Sequence, residues 1–338
     1  MQNEWEKVLI SSKRILIQTA QWFYYRPKKD LGILLLFYVL VASADLILEA
    51  KEIGANNIGW QILKWVKQAP QIATVIYALG WFIARIVLVT NSTGGLPTEL
   101  FKELRHCQLD KLTEGTLVPI KNGTIEIHKP LFDTSIFNFV DNKEKAEISG
   151  IINSISFSRK IGLWSGSISN KKNRNISHFQ RNEFAILLIE DRAVTRYRKP
   201  SIKYLGFTHI IPVNHNIWEQ YLAGNISDND FPGDYVFPSS SQLSKFPQIN
   251  QPHGLIIFSI ATYGTRESRE EALRLVFKGL GVQLHKLLVE HFSRNQPIPF
   301  LVQSPDLYFS RLLKTIGATQ AGFSKDRSPI YVGSLILK

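Results

Sequence analysis

The chain has 338 residues, a formal net charge of +12 and a hydrophobic content of 44%. So much apolar side chain excludes a disordered polyelectrolyte and calls for a folded core. The single cysteine, Cys107, excludes an intrachain disulfide and a cysteine-built zinc site, and the histidines show no close metal-ligand spacing.

Residues 1–30 form an amphipathic N-terminal segment. Trp5, Val8, Leu9, Leu16 and Phe23 recur at helical spacing among Glu6, Lys7, Lys13 and Arg14. This pattern suits a helix lying on a membrane surface or against a partner, and not a cleavable signal. Two apolar stretches come next, Leu31–Leu48 and Ile72–Thr90. Each is close to the ~20 residues that a helix needs to cross a bilayer. They predict a transmembrane hairpin over 31–90. Trp60 and Trp65 lie in its connection, and Trp22, Tyr24 and Tyr25 lie before it, where amphipathic aromatics favour the interface. Lys13, Arg14, Arg26, Lys28 and Lys29 precede the first span, and Lys102, Arg105 and Lys111 come after the second. The positive-inside rule places both termini in the cytoplasm of a multi-pass inner-membrane protein.

Residues 91–140 read as a linker or accessory region. Within it, Leu117–Ile120 and Thr124–His128 flank Lys121-Asn122-Gly123, a hairpin signature. Residues 141–338 read as the main domain. Asn142–Phe157 is a predicted helix with Ile148, Ile151, Ile152 and Ile155 along one side. Ser165–Ser177 reads as a polar, basic, mobile segment. Strands are predicted at Phe184–Glu190 and Tyr204–Pro212, then a short helix at Ile217–Gly224 and a long loop over Ser227–Pro252. An apolar central strand at Leu255–Thr262 leads to a long helix ending at Phe292. Strand Pro299–Gln303, helix Leu307–Ile316 and strands Gln320–Ser324 and Ile330–Leu337 close the series. Strands alternating with helices predict an α/β fold, a mixed sheet flanked by helices.

Three stretches give this order a family likeness. Tyr204-Leu205-Gly206-Phe207-Thr208-His209-Ile210-Ile211-Pro212, followed by Trp218-Glu219-Gln220-Tyr221-Leu222-Ala223-Gly224, resembles the third strand and following helix of the GNAT N-acyltransferase superfamily. Leu255–Thr262 and the long helix resemble its core strand and cofactor helix. Ser304–Ala318 is similar to its late helix. The resemblance covers roughly Arg181–Lys338. It implies an acyl-coenzyme A site, for acetyl-CoA or another acyl-CoA, at the end of the core strand and the turn after it: Ala261, Tyr263, Gly264, Arg266, Ser268 and Arg269. It also implies a catalytic set drawn from His209, Glu219 and Tyr308.

Two departures from that pattern stand out. The turn Tyr263–Ala272 lacks the glycine pair that lets backbone N–H groups close on a pyrophosphate, and carries Glu267, Glu270 and Glu271. Phe277-Lys278-Gly279-Leu280-Gly281 holds such a pair, but Leu273, Val276, Leu280, Leu284, Leu287 and Leu288 keep one helical stripe through it, which favours a single long helix. The position four residues before Gly317, where the family places a tyrosine, is Leu313.

Between Ser158 and Tyr204 eleven Lys and Arg stand against three acidic residues. Beside a bilayer that excess suits anionic lipid head groups. No nucleic-acid motif accompanies it, so lipid is the favoured polyanion, and no protein partner is specified. The expected function is a membrane-anchored GNAT-like protein, an N-acyltransferase at the inner membrane face. The alternatives are a non-catalytic ligand- or protein-binding module of the same fold, or a membrane effector with a sensing domain.

Overall fold

The computed structural model describes residues 79, 103, 106, 108–120, 122–160, 168–191, 203–226, 231–245, 251–262, 269–304, 307–325 and 328–338, without the side chains of 154–160, 191, 203, 269, 307 and 308. Both predicted spans lie outside these residues, Leu79 apart. Among the described residues no helix is long and apolar enough to cross a membrane. The chain divides into two units, Met1–Thr90 and Asn91–Lys338, and the second holds the sheet and its helices.

The elements of this second unit, in chain order, are α1 (Leu109–Thr113), β1 (Leu117–Pro119), β2 (Thr124–Ile127), β3 (Phe137–Phe139), α2 (Lys143–Lys160), α3 (Ile168–Arg181), β4 (Ile186–Asp191), β5 (Lys203–Val213), α4 (His215–Leu222), α5 (Ser240–Leu243), β6 (Gly254–Thr262), α6 (Arg269–His291), β7 (Pro297–Gln303), α7 (Leu307–Thr315), β8 (Thr319–Phe323) and β9 (Pro329–Leu337). They build one nine-stranded mixed sheet in the order β1-β2-β9-β7-β6-β5-β4-β3, with β8 on β9. β2 with β9 and β6 with β7 are parallel pairs, and the other neighbours are antiparallel. β8 and β2 share one edge of β9: β8 takes Pro329–Val332 and β2 takes Ser334–Leu337. The region read as linker or accessory supplies β1, β2 and β3 to the sheet.

Local chemistry explains the turns. Asn122 and Gly123 both have positive φ, 64° and 73°, as the hairpin turn between β1 and β2 requires. The Asn214 side chain caps α4 by accepting from the Ile217 N–H at 2.9 Å. α6 runs unbroken through Gly279 and Gly281. A Cβ on Gly279 would lie 3.0 Å from Leu187 Cδ2, and one on Gly281 would lie 2.9 Å from Thr116 Cγ2. Those glycines serve close packing against β4 and the start of β1.

The sheet has two faces. On one, Ile210, Leu255, Ile257, Phe300 and Val302 meet Phe277, Leu280, Leu284, Leu287 and Leu288 of α6 and Leu312 and Leu313 of α7. On the other, Phe207, Ile211, Ile256 and Phe258 pack with Ala146 and Ile152 of α2 and Ile217, Trp218 and Tyr221 of α4. α3 covers this second face too. It occupies most of the stretch read as mobile, and the reason that reading failed is chemical. The buried residues of α3 are Lys171, Arg174, Asn175 and His178. They keep helical spacing, but none is apolar, so hydrophobic periodicity cannot see the helix.

Candidate buried polar site

β6 carries a bulge that shapes this second face. His209 pairs with Ser259 and Ile210 with Ile257, which leaves Phe258 as an extra residue. A bulge re-aims side chains. Here two consecutive residues turn toward the helices. Phe258 stacks with His178 and His209 at ring separations of 5.7 and 5.0 Å. Ser259 Oγ accepts from Asn153 Nδ2 of α2 at 3.4 Å. β6 pairs with β7 only from Leu255 to Ile257, so the bulge sits where the parallel pair ends and β6 runs on to Thr262.

His209 is wholly buried, at 0% exposure. Its Nε2 lies 3.0 Å from His178 Nδ1, and His178 Nε2 lies 2.7 Å from the Phe231 carbonyl oxygen. A carbonyl only accepts, so His178 Nε2 carries a proton. Burial, then the Arg174 charge, outweighs the Phe231 bond and pushes His178 down to about 3. Burial, then His178 and Arg174, holds His209 well below the ordinary histidine range. Both rings are therefore neutral near pH 7. Neutral His178 has a bare Nδ1, so His209 Nε2–H donates to it. His209 Nδ1 is then an unprotonated acceptor, and among the described residues it has no partner. Asn153 Oδ1, on the same face, is likewise buried with no donor among the described residues.

α3 supplies two cations beside this pair. Lys171 is 2% exposed and Arg174 is 7% exposed. The Arg174 guanidinium sits 4.6 Å over the Phe258 ring. Its Nε and Nη2 donate to Asn175 Oδ1 at 3.2 and 3.1 Å. Asn175 Nδ2 donates to Ser149 Oγ at 2.8 Å, and that hydroxyl donates to the Ala146 carbonyl at 2.7 Å. Burial, then the Arg174 charge, pushes Lys171 down to about 8. α2 and α3 can cross this tightly because Gly150 has no Cβ; one would lie 2.9 Å from the Lys172 backbone.

The residues singled out from sequence fare unequally. His209 stands at the centre of the site. Ala261 is buried on β6, packed into the same face. Glu219 is on the solvent side of α4, 4.0 Å from exposed His215, away from the buried imidazoles. Tyr263, Gly264, Arg266 and Ser268 lie outside the described residues, as do the side chains of Arg269 and Tyr308. Arg269 opens α6, and Tyr308 lies in the first turn of α7. The predicted stripe of α2 is also shifted. Ser149 and Asn153 are fully buried there, with Ile152 between them and Ile148 only partly covered. Sequence reading missed Ser149, Asn153, Lys171, Arg174, Asn175 and His178. The 171–174–175–178 spacing was the available signal, had polar residues been counted for period as apolar ones are.

Two of the basic residues expected to face lipid are thus internal. Two more have partners: Lys172 meets Glu147 at 3.3 Å, and Arg181 Nε donates to the Val236 carbonyl at 3.2 Å. Among the described residues no group of three His, Cys, Asp or Glu could hold a metal ion. A cleft of about 630 Å³ lined by Phe139, Asp141, Phe179, Glu183, Phe184 and Lys245, among others, shares no residue with the site. No protein-family model matches the chain, and no curated protein or solved structure gives a significant match.

Proposed function

We propose that the sheet and its helices form a GNAT-like acyl-transfer module, held at the inner membrane face by the hairpin 31–90, which passes an acyl group from acetyl-CoA or another acyl-CoA to an amine. One observation carries the reading: β6 parts from β7 after Ile257, beside a buried neutral imidazole with one open acceptor. Ligands of α/β sheets bind beyond the carboxyl ends of parallel strands, where neighbouring strands separate. The chain order of core strand, long helix, strand, late helix and two closing strands supports the same reading. The acyl-CoA would supply the thioester carbonyl. The resemblance assigns its receipt to Ala261, near the end of β6, to Arg269, which opens α6, and to Tyr263, Gly264, Arg266 and Ser268 between them in sequence.

His209 Nδ1 accepts an N–H of the incoming amine and orients its lone pair. Its depressed basicity makes it a poor acceptor for a proton from an ammonium, so the amine enters neutral. Transfer forms the amide C–N bond and breaks the C–S bond; the nitrogen sheds one proton and the released thiolate takes one up, so no net proton is gained or lost, with Tyr308 as the phenol nearest in the resemblance. Basic residues outside the site remain for anionic head groups.

The test is thiol release from acetyl-CoA by the full chain in detergent micelles, over a panel of small amines. Amine-dependent release that drops about 10²–10⁴-fold in His209→Gln is expected. Neither release nor calorimetric binding of acetyl-CoA would end the reading. Binding without release would favour the second one, a ligand-binding module of the same fold. That reading draws on Glu270 and Glu271 in the first turn of α6, where they oppose a phosphate.

A further inference from the structure

The segment between β2 and β3 treats its two large apolar residues in opposite ways. Phe132 packs beside Phe137 of β3, edge-on at 5.9 Å, and the Lys278 ammonium of α6 stands 5.4 Å over its ring. Leu131, next to it, is 91% exposed. Pro130 stiffens the backbone just before it. One leucine in water is ordinary on a protein surface. This one has a charged setting.

Three cations converge there from separate segments. Lys129 lies two residues before Leu131, Lys286 is in the second half of α6, and Arg294 follows that helix. Their common neighbour is His285, which burial first, and then the charges of Lys129, Arg294 and Lys286, hold below the ordinary histidine range. Lys286 is answered by Glu290 at 4.0 Å and by the ring of Phe184 at 4.4 Å. Glu126 of β2 is taken by His128 and Lys338, at 3.2 and 3.5 Å. Lys129 and Arg294 are both exposed and form no ion pair among the described residues. Val289, 49% exposed, lies one turn along α6 from His285. Apolar tips beside unpaired cations match the boundary of an anionic bilayer, where head groups take the charges and the acyl region takes the hydrocarbon. A nucleic acid would answer the cations and leave both apolar side chains in water.

We infer that Leu131 and Val289, with Lys129 and Arg294 beside them, form a docking surface for an anionic phospholipid bilayer. The inference rests on the anchoring part of the proposed function for a bilayer within reach, and not on acyl transfer. It moves the lipid contact away from the basic stretch Ser158–Tyr204, four of whose cations are buried or bonded within the fold. Each of the two free cations should strengthen docking about fivefold.

The experiment places a polarity-sensitive fluorophore on Leu131→Cys in a Cys107→Ser background. The full chain is reconstituted into nanodiscs of phosphatidylcholine alone, or of phosphatidylcholine mixed with phosphatidylglycerol. Emission should shift to the blue only in the mixed discs, and raised sodium chloride should reverse the shift. Lys129→Gln with Arg294→Gln should abolish it. Both side chains are exposed, so this double variant should keep the wild-type Tm. Equal emission in the two kinds of disc, or a shift indifferent to salt and to the double variant, would overturn the inference. So would a response to an oligonucleotide duplex with none to phosphatidylglycerol. The same fluorophore on Asn173→Cys, exposed on α3, should stay silent. A response there and none at Leu131→Cys would return the lipid contact to the basic stretch. Alkaline carbonate separates the inference from the hairpin. A chain that carbonate strips from the bilayer, but whose probe at 131 still reports phosphatidylglycerol, loses the hairpin and keeps the surface. A chain that resists carbonate with a silent probe keeps the hairpin and loses the surface.

Discussion

The two faces of the sheet are built to opposite rules. Under α6, the inward positions of β5, β6 and β7 are mainly hydrocarbon and meet hydrocarbon, with Thr208 of β5 and Gln283 of α6 as isolated buried polar residues. Under α2 and α3, the strands offer His209 and Ser259, and the helices offer Asn153, Lys171, Arg174, Asn175 and His178. The second gathers its buried polar groups into one cluster, joined by hydrogen bonds and by contacts with the Phe258 ring. Apolar packing is concentrated on one face, and a buried polar cluster on the other. A chain under selection for stability alone would fill the second face as it fills the first.

The largest effect should come from the hydrocarbon face. Leu284, 1% exposed, fills the core between α6 and the sheet. Leu284→Ala should lower unfolding free energy by about 2–5 kcal/mol, read from denaturant midpoints, without altering any ligand response. A loss under about 1 kcal/mol would mean that this face is not the stabilising one.

The polar face should be revealed by acid. His178 is neutral in the fold down to about 3 and takes a proton near 6.5 when unfolded. Between those values the unfolded chain binds the extra proton, so stability is full above pH 6.5 and falls as pH is lowered. His178 alone should remove about 2 kcal/mol by pH 5. His209 acts in the same direction. Denaturant midpoints between pH 7 and 5 measure this, and Leu284→Ala should show the wild-type slope. His178→Asn should flatten it. An unchanged slope in that variant would move the acid sensitivity to other depressed histidines such as His291.

The smallest effect has the opposite sign to the first. Asn153 is fully buried, with an unpartnered carbonyl oxygen. Asn153→Leu should raise stability by about 1 kcal/mol while removing whatever ligand response the wild type has. A clear loss of stability would show the amide to be a structural group, and would narrow the difference between the faces.

That difference also decided what could be read in advance. α6, β5, β6, β7 and β9 were legible because their side chains repeat in the apolar periods of helix and strand. The β1–β2 hairpin was legible because Asn122-Gly123 announces its own backbone angles. α3 was not, because its buried face is cationic. His209 was found through its place on the third strand, but its partner His178 lies just beyond Ser165–Ser177, the stretch read as polar and mobile. Glu219 drew notice as a carboxylate near that strand, and the helical phase of α4, set by the Asn214 cap, turns it outward. The bulge at Phe258 left no trace, since Ile257-Phe258-Ser259 reads as ordinary strand. Its effect is a matter of register with β5, and register is a property of two segments.

The seam between β2 and β9 has a consequence for how the molecule is made. Thr124 Oγ1 and Ser334 Oγ, 2.7 Å apart, are separated by 210 residues of chain. At cellular rates of synthesis, the hairpin β1–β2 leaves the ribosome roughly 10–40 s before its partner strand does. During that interval β2 presents an open edge and the sheet has no β7–β9 centre to add it to. Completion of this unit is therefore a late event, ordered after synthesis of every other strand. Premature termination anywhere before Ser334 would release a chain whose first strands have nowhere to dock.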